Sequence, residues 1–299
     1  MTDFSFVPGA DLPAADLHAA NLAAFADYIA GPMHLPFDQW PSLVARQGID
    51  LARSRVAVRE GAIAAYAYVC PRPEVGRWRL AIMGALPAAR GSGAAPALID
   101  DFLARAKAEG MTHAELECFA ANERALRLYR SRGFEVACAL NGWKAPGEVA
   151  LLEEPGAASA DDGAPAREHA PADVPPNVRP VPREAALAWL DDAGRRIDWL
   201  PFQNTSRCLS AQARPLTFWQ RGSAQLVFSA VAGTQTLVHS VVDLDPALGD
   251  AQALAQALAA AHPGTFAPPI FRDDLGGAGL RRAGWAPHEL NQVLMRRVL

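Results

Sequence analysis

Two short motifs in this chain contain residues whose types and spacing suit chemistry. The first is the glycine-rich run Arg90-Gly91-Ser92-Gly93-Ala94-Ala95, which closes an apolar strand-like segment and opens a helix-like one. Backbone N–H groups converge at such a turn, where the positive end of the helix dipole also points, so an anion can bind there without a basic side chain. The second motif begins at Asn122, contains Tyr129 and stops at Gly133. It predicts a short helix that Asn122 caps and that carries a tyrosine hydroxyl, a possible proton donor.

The surrounding sequence predicts the elements that position these motifs. Pro96 suits the first turn of the helix that follows the glycine-rich run, because a proline lacks only an N–H that would be unpaired there. Gly61 supplies the turn of a hairpin. The predicted strands are residues 4–7, 55–69 (the hairpin), 78–86, 112–119 and 134–144, and the predicted helices are residues 13–28, 36–47, 96–110 and 122–133. This order favours a mixed α/β sheet with helices on both faces.

The second half of the chain resembles a degenerate repeat of the first. It repeats the hairpin at residues 216–230, the following strand at residues 236–246 and the helix-to-glycine step at residues 279–285. A closing strand is predicted at residues 291–299. After Pro246 the copy has one glycine, no arginine and an added acid where an anion would sit, so it is expected to have lost the chemistry.

Together the two motifs resemble the acyl-CoA site of the GNAT acetyltransferases, over residues 1–144 of the chain. Residues 90–95 match the family pattern Gln/Arg-x-x-Gly-x-Gly/Ala, and the tyrosine helix follows about thirty residues later. The resemblance implies an α/β GNAT fold in two tandem copies. It also implies acetyl-CoA as the acyl donor and no metal.

The resemblance assigns the donor-binding residues. The strand before the glycine-rich turn would splay from its neighbour and pair with the pantetheine arm, with a bulge at Gly84 and a backbone N–H near Leu86 polarising the thioester carbonyl. The loop N–H groups would hold the pyrophosphate, and Arg90 could add a charge-assisted contact. The predicted residues are Met83, Ala85, Leu86, Arg90, Gly91, Ser92, Gly93, Ala94, Ala95, Asn122 and Tyr129.

Tyr129 and Glu117 are the predicted catalytic residues. By the resemblance, Tyr129 protonates the departing CoA thiolate, which leaves more easily when it receives a proton. Glu117 matches the glutamate proposed to deprotonate the amine in ribosomal-protein alanine acetyltransferases. The predicted strand 78–86 contains no acid that could serve instead. A water chain to bulk solvent is the competing account of the base, and both accounts stay open.

The acceptor site is expected between the first helices and one face of the hairpin. Its predicted residues are Asp27, Tyr28, Met33 and Tyr66, and either Asp27 or Asp38 could hold a cationic amine. Solvated charges beside a packed aromatic core are an equally good interpretation of each. The sequence does not identify the acceptor.

These observations predict an acetyl-CoA-dependent N-acetyltransferase that moves an acetyl group to a primary amine by direct attack. The predicted domains are a catalytic GNAT domain at residues 1–146, a linker at residues 147–182 and a degenerate GNAT-like domain at residues 183–299. The alternative is a non-catalytic acyl-CoA-binding or regulatory module, which would keep the residue 90–95 cradle without a productive acceptor site.

The net charge and the distribution of cysteines limit the classes of binding partner that this chain is expected to have. The formal net charge of −4 argues against nucleic acid or an anionic membrane surface, and the scattered Cys70, Cys118, Cys138 and Cys208 suggest reduced thiols in a cytoplasmic protein. No apolar run reaches the length of a membrane span, and the start of the sequence lacks the pattern of a secretory signal. We therefore expect a small-molecule amine rather than a protein as acceptor, and a monomer or homodimer.

Overall fold

The computed structural model describes residues 4–149, 177–231 and 233–299. Most of the predicted linker, residues 150–176, lies outside the described residues. In the first half the elements are β1 Ser5–Pro8, α1 Ala14–Ala24, α2 Trp40–Arg46, β2 Asp50–Arg59, β3 Ala62–Arg72, β4 Arg77–Ala85, α3 Ala94–Ala108, β5 His113–Phe119, α4 Glu123–Ser131 and β6 Glu135–Lys144. In the second half they are β7 Arg179–Pro180, α5 Arg183–Arg196, α6 Ser206–Ser210, β8 Thr217–Arg221, β9 Ala224–Ser229, β10 Leu237–Asp243, α7 Gly249–Ala261, β11 Phe266–Phe271, α8 Gly277–Arg282, β12 Ala286–Pro287 and β13 Gln292–Val298.

Contacts divide the chain into two compact units that exchange their closing strands. The first unit comprises Met1–Ala139 and Gln292–Leu299, and the second comprises Leu140–Asn291. The end of the sequence therefore belongs to the first unit, whereas the second half of β6 belongs to the second. These limits differ from the predicted 1–146 and 183–299, because strand pairing rather than chain order decides where a strand belongs.

The sheet of the first unit has the order β1-β2-β3-β4-β5-β13. Only β4 and β5 are parallel, and all other neighbours are antiparallel. β13 pairs with the whole of β5, from Gln292 opposite Phe119 to Val298 opposite His113. This pairing gives β5 a hydrogen-bonded neighbour on both sides, so it is an interior strand of the sheet.

Helices cover both faces of the first sheet, as predicted. Leu98 and Phe102, one helical turn apart on α3, pack in one core together with Trp78 of β4. Leu17 of α1 packs in a second core on the other face with Tyr66 of β3. The helix predicted for residues 13–28 ends at Ala24, so the residues after Ala24 are free to form a loop beside the sheet.

The second unit repeats the first element by element. Its sheet has the order β7-β8-β9-β10-β11-β6, again with a single parallel pair, β10 and β11. α7 follows β10 as α3 follows β4, and α8 follows β11 as α4 follows β5. The chain therefore holds two tandem copies of one mixed α/β fold, as predicted.

Because β13 belongs to the first unit, a substitution in β13 should destabilise that unit. Met295 of β13 is fully buried in the first core. Met295→Ala removes a buried side chain and should cost about 2–5 kcal/mol. We expect hydrogen–deuterium exchange, read by mass spectrometry, to accelerate in β5 and not in β9. Val298→Ala is the control, because Val298 is 72% exposed. Acceleration in β11 rather than β5 would contradict the strand assignment.

Candidate active site

The site begins where β4 and β5 stop pairing. Their parallel register runs only from Arg77 opposite His113 to Leu80 opposite Leu116, although β4 continues to Ala85. On its other side β4 carries a bulge, since Val69 pairs with Leu80 and Tyr68 with Ile82. Ala81 is thus the extra residue, and the bulge does not lie at Gly84 as predicted.

Gly84 has a packing role instead. A Cβ on Gly84 would lie 2.5 Å from the Tyr66 hydroxyl and 2.7 Å from the Ala24 Cβ, so only glycine fits. Tyr66 itself is fully buried, donates to Asn21 Oδ1 at 2.8 Å and stacks on Tyr68. The prediction that Tyr66 faces an acceptor is therefore wrong, because its hydroxyl is consumed inside the core.

A cavity of about 910 Å³ opens beyond the divergence of β4 and β5. Eight of the eleven predicted donor-binding residues line it, as do Asp27 and Tyr28 of the predicted acceptor set. The eight are Met83, Ala85, Arg90, Gly91, Gly93, Ala95, Asn122 and Tyr129. One cavity thus brings together residues from β4, the glycine-rich loop and α4.

Leu86, Ser92 and Ala94 are the predicted donor-binding residues that do not line the cavity. The Leu86 N–H donates to Ala64 O at 2.9 Å, so it is not available to polarise a carbonyl. Ser92 turns its hydroxyl to Ala89 O at 2.6 Å, and Ala94 is 1% exposed in the first core. Each was predicted from its place in the motif, but a local hydrogen bond (Leu86 and Ser92) or burial in the core (Ala94) keeps it away from the cavity.

The main chain of β4 alternates in direction. Because Leu86 bonds to β3, the antiparallel pattern directs the N–H and C=O groups of Met83 and Ala85 away from β3, towards the divergence. Beyond Leu80 no described residue of β5 pairs with β4. Met83 and Ala85 therefore present backbone groups to which an extended ligand could bind as an added strand.

The glycine-rich loop offers backbone donors at alternate residues. Gly91 and Gly93 have φ of +80° and +90°, and a Cβ on either would meet no atom within 4 Å. The N–H groups of Arg90 and Ser92 donate to Pro87 O and Ala89 O. Among the described residues none accepts from the N–H groups of Gly91, Gly93 or Ala95, which are the loop glycines and alanine at the cavity wall. The predicted run of donors from Arg90 to Ala95 is thus reduced to three.

Tyr129 lies on α4, whose start is fixed by Asn122. The Asn122 side chain accepts from the Ala125 N–H at 3.2 Å and caps the helix, as predicted. No described residue hydrogen-bonds to the Tyr129 hydroxyl. Burial, with smaller contributions from Cys118 and Tyr28, raises the pKa of Tyr129 well above its usual range. The phenol therefore stays protonated at neutral pH, which is the form that an acid catalyst needs.

Tyr28 lines the cavity from the loop that follows α1. Its ring packs edge-on against Phe119, with centroids 5.7 Å apart. Burial raises the pKa of Tyr28 to about 12, the neighbouring Cys118 adds to this, and a hydrogen-bonding interaction with Asn122 opposes it. Burial also raises the pKa of the Cys118 thiol to about 12, so Cys118 is not a ready nucleophile.

Glu117 is committed to a buried ion pair. Arg79 Nε lies 3.1 Å from Glu117 Oε1 and 2.8 Å from Oε2, and the side chains are 2% and 4% exposed. Glu117 does not line the cavity. A carboxylate held by a guanidinium and shielded from the cavity is not placed to take a proton from an amine. The geometry therefore argues against the predicted role of Glu117 as general base.

Two predicted acceptor residues have partners that the sequence did not suggest. Asp27 accepts two hydrogen bonds from Arg90, at 2.5 and 2.6 Å, at the rim of the cavity. Met33 lies away from the cavity, with its sulfur 2.9 Å from Asn21 Nδ2. Only Asp27 and Tyr28 of the predicted acceptor set therefore face the site.

Sequence reasoning missed Glu123 and Arg124, which line the same cavity from the first turn of α4. Their position directly after Asn122, a predicted donor-binding residue, was the available signal. Residues in the first turn of a helix lie close to the residue that caps it. With Asp27 and Arg90, they give the cavity wall two acidic and two basic side chains.

The comparisons with known proteins agree with this geometry. Residues 19–134 match the model of the Acetyltransferase (GNAT) family. They form a GNAT acetyltransferase domain. No curated protein sequence matches the chain.

Solved structures resemble the whole chain, covering 99% of it in each case. They are the GCN5-related N-acetyltransferases from Anabaena variabilis (15% identity, 73% of that chain, TM-score 0.61), Sphaerobacter thermophilus (19%, 95%, 0.59) and Kribbella flavida (16%, 71%, 0.58). At these identities the likeness shows the fold, which both units of this chain contribute to.

The GNAT domain fits the family's acyl-CoA donor at its phosphate end. Gly91 and Gly93 leave open space and free N–H groups beside the first turn of α3, where a Cβ would intrude. Backbone donors of this kind bind phosphate oxygens. Among the described residues no group of three or more histidine, cysteine or acidic side chains could hold a metal ion, and no described helix is long and apolar enough to cross a membrane.

The second unit places its own carboxylate at the corresponding point. Asp243, at the end of β10, accepts from the Ala251 N–H in the first turn of α7 at 2.9 Å and from the Asp245 N–H at 3.0 Å. It also accepts from the Ser223 hydroxyl at 2.6 Å and is 2% exposed. Two backbone N–H groups near the start of α7 are thus taken by an internal carboxylate.

The buried pair predicts a structural role for Glu117. Glu117→Gln leaves the Arg79 charge buried without its counter-ion and should cost about 3–5 kcal/mol, measured by chemical denaturation. Glu74→Gln is the control, since the Glu74 side chain is 55% exposed and should lose less than about 1 kcal/mol. If Glu117 were instead the base, Glu117→Gln would keep its stability and lose turnover alone.

Proposed function

We propose that the first unit transfers an acetyl group from acetyl-CoA to a primary amine by direct attack. The observation that carries the proposal is the cavity beyond Leu80, which joins the unpaired backbone of β4, the open glycine loop and the free Tyr129 hydroxyl. Acetyl-CoA supplies an acetyl thioester. We infer that Gly91, Gly93 and Ala95 bind its pyrophosphate and that Met83 and Ala85 align its pantetheine arm.

The proposed reaction needs neither a metal nor a covalent intermediate on the enzyme. The amine nitrogen bonds to the acetyl carbon, the carbon–sulfur bond breaks, and its electron pair stays on sulfur. Tyr129 donates its proton to that sulfur and regains one from solvent. The amine loses a proton to water in the cavity, because Glu117 is held by Arg79. Of the two accounts of the base, we therefore adopt the water chain.

The proposed activity is tested by release of CoA thiol from acetyl-CoA over a panel of primary amines, with calorimetry of acetyl-CoA binding alongside. We expect binding without an amine and thiol release with at least one amine. A protein that does not bind acetyl-CoA would contradict the whole proposal. A protein that binds it and acetylates no amine would support a non-catalytic acyl-CoA module instead.

Tyr129→Phe separates these two functions. If Tyr129 is the acid, turnover should fall at least tenfold while the Kd for CoA stays within about twofold, because the phenol acts on the leaving group. An assay of CoA thiol release measures turnover, and calorimetry measures the Kd for CoA. Tyr68→Phe is the matched control, since Tyr68 is a buried tyrosine of the same unit whose hydroxyl bonds, among the described residues, to Leu17 O alone. Equal turnover in both variants would remove Tyr129 from the mechanism.

Gly91→Ala tests the phosphate cradle. A residue with a Cβ at φ near +80° is strained by about 1–2 kcal/mol, and its methyl group would also enter the cavity. We expect CoA binding to weaken at least tenfold by calorimetry. Gly61→Ala carries the same strain, with φ of +78° and open space, but sits in the β2–β3 turn away from the cavity. It should lose similar stability and no affinity, and equal losses of affinity would contradict the cradle.

A further inference from the structure

Arg90 uses all three of its guanidinium nitrogens within the first unit. Nη1 and Nη2 donate to the two carboxylate oxygens of Asp27 at 2.5 and 2.6 Å, and Nη2 also lies 3.2 Å from Ala24 O. Nε lies 3.4 Å from Ala85 O. Arg90 therefore links the loop after α1 to the end of β4, across the rim of the cavity.

One of these contacts conflicts with the donor-binding role proposed for β4. The Ala85 carbonyl faces the divergence of β4 and β5, where the pantetheine arm would pair with the strand. Arg90 Nε points at that carbonyl. A ligand N–H that pairs with the Ala85 carbonyl would therefore compete with the Arg90 side chain for that oxygen.

Asp27 is a weaker partner for Arg90 than a pyrophosphate would be. The Asp27 side chain is 62% exposed and the Arg90 side chain 25%, so water and salt screen the pair. A pyrophosphate bound at Gly91 and Gly93 would lie beside Arg90, which directly precedes Gly91 in the sequence. It would carry more negative charge than the Asp27 carboxylate. Guanidinium groups bind phosphate oxygens through two parallel hydrogen bonds, which adds to the preference.

Release of Arg90 would change the charge at the cavity rim. The hydrogen bonds and charge of Arg90 hold the pKa of Asp27 below its usual range. An exposed aspartate without such a partner has a pKa of about 4, so Asp27 would also be ionised at neutral pH after Arg90 leaves. Arg124 and Glu123 also line the cavity and contribute charges of opposite sign. Without Arg90, Asp27 would present to the cavity a carboxylate with no described hydrogen-bonding side chain, and Arg124 would remain as a cation that acts on it only through its charge.

We propose that CoA binding transfers Arg90 from Asp27 to the pyrophosphate, and that the released Asp27 then holds the ammonium group of the acceptor. The inference rests on the proposed function and deepens it. It makes a cationic amine the acceptor class, since the new contact is a bare carboxylate. It also makes donor binding precede tight acceptor binding, because one arginine serves both sites.

Calorimetry of CoA binding tests the competition for Arg90. Asp27→Asn should tighten CoA binding about three- to tenfold, since Arg90 no longer has a carboxylate partner. Glu123→Gln is the matched control, because it removes the same charge from the same cavity without touching Arg90, and should change affinity by less than about twofold. Equal effects of the two variants, or weaker binding by Asp27→Asn, would overturn the exchange.

The Arg90→Gln background separates competition from general electrostatics. In that background Asp27→Asn should tighten CoA binding no more than Glu123→Gln does, because no guanidinium remains to be shared. A gain that persists would contradict the exchange. A wild-type protein that fails to bind CoA at all would instead contradict the proposed function.

The released carboxylate is detected with 1,4-diaminobutane as a cationic probe and 1,4-butanediol as its neutral control. In protein labelled with ¹³C at aspartate carboxyls, we expect the diamine to shift the Asp27 resonance when CoA is saturating. Without CoA the shift should be at most about a third as large. Equal shifts with and without CoA, or an equal shift with the diol, would overturn the acceptor half of the proposal.

Discussion

The site depends on a single break in strand pairing, where β4 leaves β5 after Leu80. The bulge at Ala81 adds one residue to β4 and turns the strand, because a bulge bends and twists the strand that contains it. The divergence leaves backbone groups at Met83 and Ala85 without strand partners. It also opens the cavity that the glycine loop and α4 line together. Every chemical role proposed for the first unit uses this opening.

The opening is supported on one side by the end of the chain. β13 covers β5 along its whole length, so β5 can lose pairing with β4 near Phe119 and still remain inside a sheet. The second unit is completed in the same way by residues from Leu140 onward. The unit that carries the candidate site therefore includes β13, which is remote in sequence from β5. The second copy has the internal carboxylate of Asp243 near the start of α7.

Buried charge secures the strands where they begin to part. Glu115 pairs with Arg72 at 2.5 Å, and Glu117 pairs with Arg79, which joins β5 to β3 and β4 through side chains. Breaking such a pair leaves an uncompensated buried charge, so the strands are held in one register. Glu117 is thus explained by the architecture of the site.

The sequence by itself determined the local features: the strands and helices of the first unit, the Asn122 cap, the repeat in the second half and the glycine-rich turn between β4 and α3. Those depend on periodicity and on residues close in the chain. Only the tertiary structure decided that the closing strand joins the first unit, that the Leu86 N–H is consumed and that Tyr66 is core. It also revealed partners 38 and 63 residues apart, Arg79 with Glu117 and Arg90 with Asp27, because an ion pair across strands leaves no local pattern.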